Sequence, residues 1–329
     1  MLQLDAKNLL VEDAFLEAFD TDYVPATLDR IITDFDFTTY HISTPESKEK
    51  LLFSINIKCW NDLVKYGVFQ ILKDKYDELI ILTEPEAGWN FSLYVDLTQF
   101  KLANNENKKE LASRLSLLKS HCFSAPFYKA FNRHDILAAE GPVDPNNIYG
   151  EDISTVTEEV FVLNYRDSEV IYIKPSNDRV TVIFSTVFRD ETDKVFSKVF
   201  LQEFSDARKR SIQTAPQVIN SHREPPLEIR NLTSNPFNET TGEEKTYITF
   251  VLFPRHFSSV DVRWNTIQHI QLFRSYFHYH IKIVKCFLHQ RMRYRVSEFM
   301  KVLNRARQDS IDEEKERKTV SGRRFELRS

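Results

Sequence analysis

Residues 255–321 read RHFSSVDVRWNTIQHIQLFRSYFHYHIKIVKCFLHQRMRYRVSEFMKVLNRARQDSIDEEKERKTVS, a stretch without one glycine or proline. Its apolar residues recur at helical spacing for longer than an ordinary globular helix allows. At about 100° per residue, Ile267, Ile270, Phe277, Ile281, Val284, Leu288, Met292, Val296, Phe299 and Leu303 fall on one stripe. A second apolar face, Leu272, Tyr276, Tyr279, Ile283 and Phe287, lies nearly opposite. One face can pack on its own domain, but the other needs a further layer, because an apolar stripe left in water is an association site. The stripe is therefore expected to serve as core or partner-helix interface.

Beyond Gln290 the azimuth of the second face is expected to pass to Arg291, Arg295, Lys301 and Arg305. With Arg293 and Arg307 these make six basic residues over 291–307, against one acidic residue, Glu298. The local charge is +5 on a chain whose net charge is -4. That contrast asks for an anionic partner. A helix over about 262–307 would be roughly 70 Å long at 1.5 Å per residue, and its far end is expected to project beyond its own core.

The remaining composition fits a soluble protein of about two domains. The chain has 329 residues, 42% of them hydrophobic and 13% aromatic, enough to bury large cores. Three cysteines, Cys59, Cys122 and Cys286, make no disulfide framework and suit a reducing compartment. The N-terminus interleaves Leu2, Leu4, Leu9 and Leu10 with Asp5, Lys7 and Glu12, unlike a signal or transit peptide. No apolar run approaches the roughly 20 residues of a membrane span.

An order of elements occurs twice. The first copy has strands near 31–43 and 51–59, a helix near 60–76, a strand at 89–97 and a helix from about 107. The second has strands at 160–165, 170–174 and 180–188, a helix near 195–210, a strand at 246–253 and then the long helix. Phe91-Ser92-Leu93-Tyr94-Val95 answers Ile248-Thr249-Phe250-Val251-Leu252, while Leu111, Leu115, Leu118 and Cys122 answer the long stripe. The pattern predicts an α/β (α+β) chain of two tandem similar domains, 1–140 and 153–329, joined by a Gly- and Pro-containing linker at 141–152. Pro126 interrupts the final helix of the first copy. The polar run at 229–244 reads as a surface loop, and the charged tail at 312–329 as a segment ordered only when bound.

Little in the sequence points to catalysis. Six glycines, with neither a G-x-G-x-x-G nor a P-loop motif, argue against a nucleotide site. His278 and His280 point about 200° apart on a helix and suit packing better than a metal. Asp34 and Asp36 would share one strand face, as a carboxylate pair does in a hydrolase or metal site, although a solvated face is the plainer reading. Cys59 as a nucleophile would need His41 or His222 as base, and nothing in the spacing supports that. Ser221-His222-Arg223-Glu224-Pro225-Pro226 reads first as a rigid structural turn and second as a docking loop, with catalysis behind both. No catalytic, cofactor or metal site is expected. A basic helix can also meet nucleic acid, and a nucleic-acid-binding scaffold is the alternative reading. A pI near 6.2 and the lack of RNP, zinc-finger or helix-turn-helix signatures favour a protein partner.

Several motifs resemble one family in order. They are Tyr40-His41-Ile42-Ser43, Asp178-Arg179-Val180-Thr181-Val182-Ile183-Phe184-Ser185-Thr186-Val187-Phe188, Thr214-Ala215-Pro216-Gln217-Val218, the run Ser221 to Glu228, and Thr249-Phe250-Val251-Leu252-Phe253-Pro254-Arg255-His256. Tyr279-His280-Ile281-Lys282, Arg291-Met292-Arg293 and Lys301-Val302-Leu303-Asn304-Arg305-Ala306-Arg307 continue the series. Together they resemble subunit 2 of the actin-related protein 2/3 complex. Gln308 stands where the family pattern leads one to expect proline, so the helix end is open.

The resemblance implies two α/β domains and a long C-terminal helix packed antiparallel on a helix of the smaller scaffold subunit, subunit 4. It implies a non-catalytic place in a seven-subunit assembly that holds the two actin-related proteins. That assembly contacts the side of an existing actin filament and starts a branched daughter filament. By this resemblance the filament contact falls on Arg291, Arg293, Arg295, Lys301, Arg305 and Arg307. Nucleotide belongs to the actin-related subunits, and the location is the cytoplasmic actin cytoskeleton, including cell cortex and projections.

Overall fold

The computed structural model describes residues 4–20, 26–101, 105–140, 159–210, 212–233 and 245–306. Helix α1 (Leu9–Ala18) starts at Asn8, whose side chain accepts the Val11 N–H at 3.2 Å, and it buries Val11, Ala14, Phe15 and Ala18. There follow β1 (Asp29–Asp34), β2 (Thr38–Ser43), β3 (Lys50–Ile57), α2 (Trp60–Lys65), α3 (Val68–Lys75), β4 (Ile80–Ile81) and β5 (Phe91–Asp96). Four helices close this half: α4 (Leu97–Lys101), α5 (Asn105–Ser116), α6 (Leu118–Phe123) and α7 (Ala125–Glu140). The second half has β6 (Phe161–Leu163), β7 (Val170–Pro175), β8 (Val180–Val187), α8 (Glu191–Arg210), β9 (Gln217–His222), α9 (Arg230–Thr233), β10 (Lys245–Leu252) and α10 (Val260–Ala306).

The strands form two five-stranded antiparallel sheets with orders β1-β2-β3-β5-β4 and β6-β7-β8-β10-β9. Each sheet therefore runs first, second, third, fifth, fourth. In each, helix fills the connection from third strand to fourth and follows the fifth. The repetition read in the sequence is thus a repetition of topology. The fourth strands, β4 and β9, lie outside the pattern read there. β4 has two residues, and β9 lacks a clean alternation.

Three expected elements divide. The stretch 31–43 is a hairpin, not one strand. Thr33-Asp34-Phe35-Asp36-Phe37-Thr38 alternates like a strand and lacks glycine, proline or asparagine, yet Asp36 and Phe37 turn the chain at φ 62° and 52°. Left-handed geometry at a phenylalanine is costly and needs support from its surroundings. The helix at 60–76 breaks into α2 and α3 at Gly67, whose φ of 86° suits glycine. The helix from about 107 becomes α5, α6 and α7. Pro126 sits in the first turn of α7, where its missing N–H interrupts no helical bond. The expected linker, 141–152, and the tail at 312–329 lie outside the described residues, as does 234–244 of the expected loop.

The chain divides into two compact units, Met1–His278 and Tyr279–Ser329. Within the first, the repeats interlock. Helix α7 packs on β7 and β8 of the other sheet. Phe131 stacks on Phe257 at 4.6 Å, and His134 Nδ1 donates to the Ser176 carbonyl at 2.6 Å. The Tyr66 hydroxyl accepts from the Val162 N–H at 2.7 Å, and Asp62 accepts from the backbone and side chain of Asn164, both at 3.0 Å. All eight residues of β8 are buried, as expected for a strand covered on both faces. On α10, Phe273 and Phe277 join a ring cluster with Phe184, Phe188, Phe200, Phe204 and Phe250, at centroid distances of 4.6 to 6.4 Å. The buried members, Phe184, Phe188, Phe250 and Phe277, each contribute roughly 1.5–3 kcal/mol.

Charge also joins the repeats. Asp36, held out by its left-handed turn, accepts from Arg166 Nε and Nη2 at 2.9 and 2.8 Å and pairs with Lys119 at 3.2 Å. Glu169 receives Arg274 through two bonds at 2.8 and 2.9 Å and the Tyr165 hydroxyl at 3.2 Å. Burial pushes the Asp36 carboxyl up, but the pull of Lys119 and Arg166 more than offsets it and the pKa is lowered. The pairs of Asp36 with Arg166 and Lys119 supply the support that the strained turn requires.

A candidate protein interface on the long helix

Helix α10 is one continuous α-helix from Val260 to Ala306, so positions along it convert to azimuths. The apolar stripe changes surroundings along its length. Ile267, Ile270, Phe277 and Ile281 are buried, and Val284 is half-buried. Leu288, Met292, Val296, Phe299 and Leu303 are 39%, 64%, 60%, 62% and 43% exposed. The same periodicity therefore continues for more than three turns past the point where this chain buries it. Covering those five side chains is worth at most about 7–15 kcal/mol, before the entropy of association is subtracted. The second face fades similarly: Leu272, Tyr276 and Tyr279 are half-buried, and Ile283 and Phe287 are exposed.

Part of the polar chemistry on the distal helix gathers on one side. At 100° per residue, Phe287, Arg291, Tyr294, Glu298, Lys301 and Arg305 fall within an arc of about 80°, centred about 120° from the apolar stripe. The Arg291 guanidinium lies 5.5 Å from the Phe287 ring centroid, and Lys301 pairs with Glu298 at 2.7 Å. Among the described residues Arg291, Arg293, Arg295 and Arg305 form no ion pair within this chain. Their positive field is available to a partner. Arg295 departs from the expected grouping, since its azimuth lies between those of Val284 and Leu288 on the apolar stripe. Arg293 falls on the far flank, so neither joins the arc of Arg291, Lys301 and Arg305. Arg307 lies outside the described residues.

The residues considered for catalysis are placed elsewhere and engaged otherwise. Cys59 is buried, and burial, with Asp62 beside it, pushes its thiol up to about 12, so it is no ready thiolate. His222 Nδ1 meets the Thr246 hydroxyl at 3.1 Å, while His41 is held between Asp29 and Glu86. Asp34 and Asp36 do not share a strand face, because Asp36 lies in the hairpin turn. His278 stacks on Phe188 at 5.1 Å. Of the motif at 221–226, Ser221 and His222 end β9, Arg223 turns at φ 66°, and Ser221 Oγ donates to the Glu224 carbonyl at 3.0 Å. Among the described residues no group of three His, Cys, Asp or Glu is arranged to hold a metal, and no helix is long and apolar enough to cross a membrane.

Comparison with known proteins bears on the partner. The model of a family described as the 34 kD subunit of the Arp2/3 complex, p34-Arc, matches residues 53–310. Actin-related protein 2/3 complex subunit 2 of Schizosaccharomyces pombe is 47% identical over 326 residues, covering 99% of both chains. The protein of the same description from Dictyostelium discoideum is 32% identical over 325 residues, again 99% of both.

Proposed function

The chain belongs to the p34-Arc family of the Arp2/3 complex, and from that premise we propose that it is a non-catalytic scaffold subunit of that complex. In this reading the segments 1–140 and 153–329 are its two domains. The exposed stripe from Leu288 to Leu303 pairs with a helix of subunit 4. The basic arc of Arg291, Lys301 and Arg305 meets the acidic side of an existing actin filament in the cytoplasmic cytoskeleton, at the cortex and in cell projections. The scaffold acts by geometry. It fixes the two actin-related proteins relative to the mother filament so that they start a branched daughter.

One observation carries the reading: a single helix leaves an apolar stripe and a cationic arc uncovered side by side, about 120° apart. Two different partners can therefore be engaged at once, one by burial and one by charge. Burial gives lasting pairing, while exposed charge contacts are individually weak and screened by salt.

The test is a tagged purification, followed by filament cosedimentation of the recovered complex carrying Arg291→Glu, Lys301→Glu and Arg305→Glu. The expected result is intact assembly with weaker filament binding, whose remainder falls further as salt rises. Unchanged cosedimentation of an intact variant complex would remove the filament from this face. Recovery of the wild-type chain without actin-related proteins, binding generic DNA or RNA with a steep salt dependence, would replace the reading with a nucleic-acid scaffold.

A further inference from the structure

Three strands of the first sheet place a polar row on one face. His41 on β2 stands opposite Ser54 on β3, and Ser54 stands opposite Ser92 on β5. Both serines are fully buried, and their hydroxyls bond each other at 2.8 Å. Glu86, from the loop between β4 and β5, lies over this row. Its carboxylate accepts from Ser54 Oγ at 2.7 Å, its backbone N–H donates to Ser92 Oγ at 3.0 Å, and it reaches His41 Nδ1 at 2.8 Å. The Trp89 indole of the same loop stacks on the imidazole at 5.3 Å and 17°. On the other side His41 Nε2 meets Asp29, the first residue of β1, at 2.9 Å.

An ionised carboxylate only accepts, so an imidazole bonded to one at each nitrogen must carry both protons. His41 is thus an imidazolium that ties the start of edge strand β1 to the β4–β5 loop. We propose that His41 is a proton-operated latch, closed while the ring is charged and released at the Asp29 side when the ring loses a proton.

The asymmetry follows from solvent. Asp29 is 78% exposed and loses little by turning to water, whereas Glu86 is 24% exposed and also held by Ser54. A neutral ring keeps its one N–H on Glu86 and presents a lone pair to Asp29. The charged groups facing the ring are Asp29 from β1 and Glu86 from the loop. Further along this face the Tyr94 hydroxyl donates to Glu46 at 3.2 Å, and the hydroxyls of Ser54 and Ser92 do not titrate near neutrality. Burial pulls the His41 pKa down, but hydrogen bonds to Glu86 and Asp29 and their charge outweigh that, so it lies above 6.5. The latch therefore opens as pH rises through the folded value.

Hydrogen exchange of the assembled complex, at about pH 6 and about pH 8 and corrected for the intrinsic rate, reads the latch directly. Amides of 29–34 should open about threefold or more faster at the higher pH, while β8 shows no such change. Asp29→Asn offers the neutral ring a side-chain N–H donor, and the pH dependence should shrink. His41→Gln should abolish it. Equal corrected rates in the wild type at both pH values overturn the proposal, and so does a dependence of undiminished size in Asp29→Asn.

Discussion

Replacing Glu169 by alanine should be among the most damaging single changes in the chain. Glu169 is 4% exposed and accepts three hydrogen bonds, two from Arg274 and one from Tyr165. Burial alone pulls the Arg274 pKa down, but the bonds and charge of Glu169 more than restore it. Without the carboxylate the guanidinium stays charged, with its side chain only 18% exposed. Breaking a buried pair from one side costs about 3–5 kcal/mol, and the partial access of Arg274 to water places this case near about 3. Glu169→Gln keeps an acceptor and the shape, so its loss should be smaller. Replacing both partners, Glu169→Leu with Arg274→Met, removes the desolvation costs of the pair and should recover part of the single-variant loss, since the Tyr165 hydroxyl and Arg166 still lose the carboxylate. Urea denaturation of the purified complex, followed by tryptophan fluorescence, measures this. One reporter, Trp264, stacks on His121 where the repeats meet, at 4.9 Å. A loss below about 0.5 kcal/mol in Glu169→Ala, or a double variant as unstable as the single ones summed, would refute the reasoning.

Other outcomes follow from individual groups. The Asp36 pKa is held below 3.8, so its contribution is present above that value and lost as pH falls through the lower folded value. Asp36→Asn should lower stability at neutral pH and flatten the acid limb of an unfolding curve below about pH 4. His121, buried against Tyr76 and Trp264, has its pKa pushed down to about 3 by burial and by nearby Lys75 and Arg114. Its neutral ring favours the fold above 6.5, and that contribution falls steadily as pH drops from 6.5 toward 3. His121→Phe should reduce that slope in acid titrations followed by circular dichroism. Ile281→Asp puts a charge at a buried position and should destabilise the chain by about 3 kcal/mol or more. Phe299→Asp, at an exposed position, should change the stability of the chain itself by less than about 0.5 kcal/mol yet abolish pairing with subunit 4 in copurification.

The long helix was legible because its cues are local. Without glycine or proline across 255–321, and with apolar residues at a helical period, it had no competing conformation of comparable merit. The doubled element order was legible for a similar reason. Apart from β4 and β9, each strand carries its own alternation or apolar run, and the two sheets share one order. The family resemblance rested on motifs spread along the same elements.

What depends on distant groups was not legible. The alternation at 33–38 continues across a hairpin turn, and only Arg166 and Lys119, remote in sequence, show why Asp36 and Phe37 can bend there. The azimuth of Arg295 was computable from the sequence, but the point at which burial of the stripe gives way to exposure was not. Periodicity reports that a face is apolar and says nothing of what covers it. His41 entered the sequence reading as a possible base and as part of a family motif, with no sign of its ion pairs. Its two carboxylates come from residues 12 and 45 positions away, and the register of β2 on β3 and of β3 on β5 sets the serine row beneath them. Local propensity and period are properties of the chain itself, whereas pairing of charges and covering of faces exist only once the chain has folded on itself.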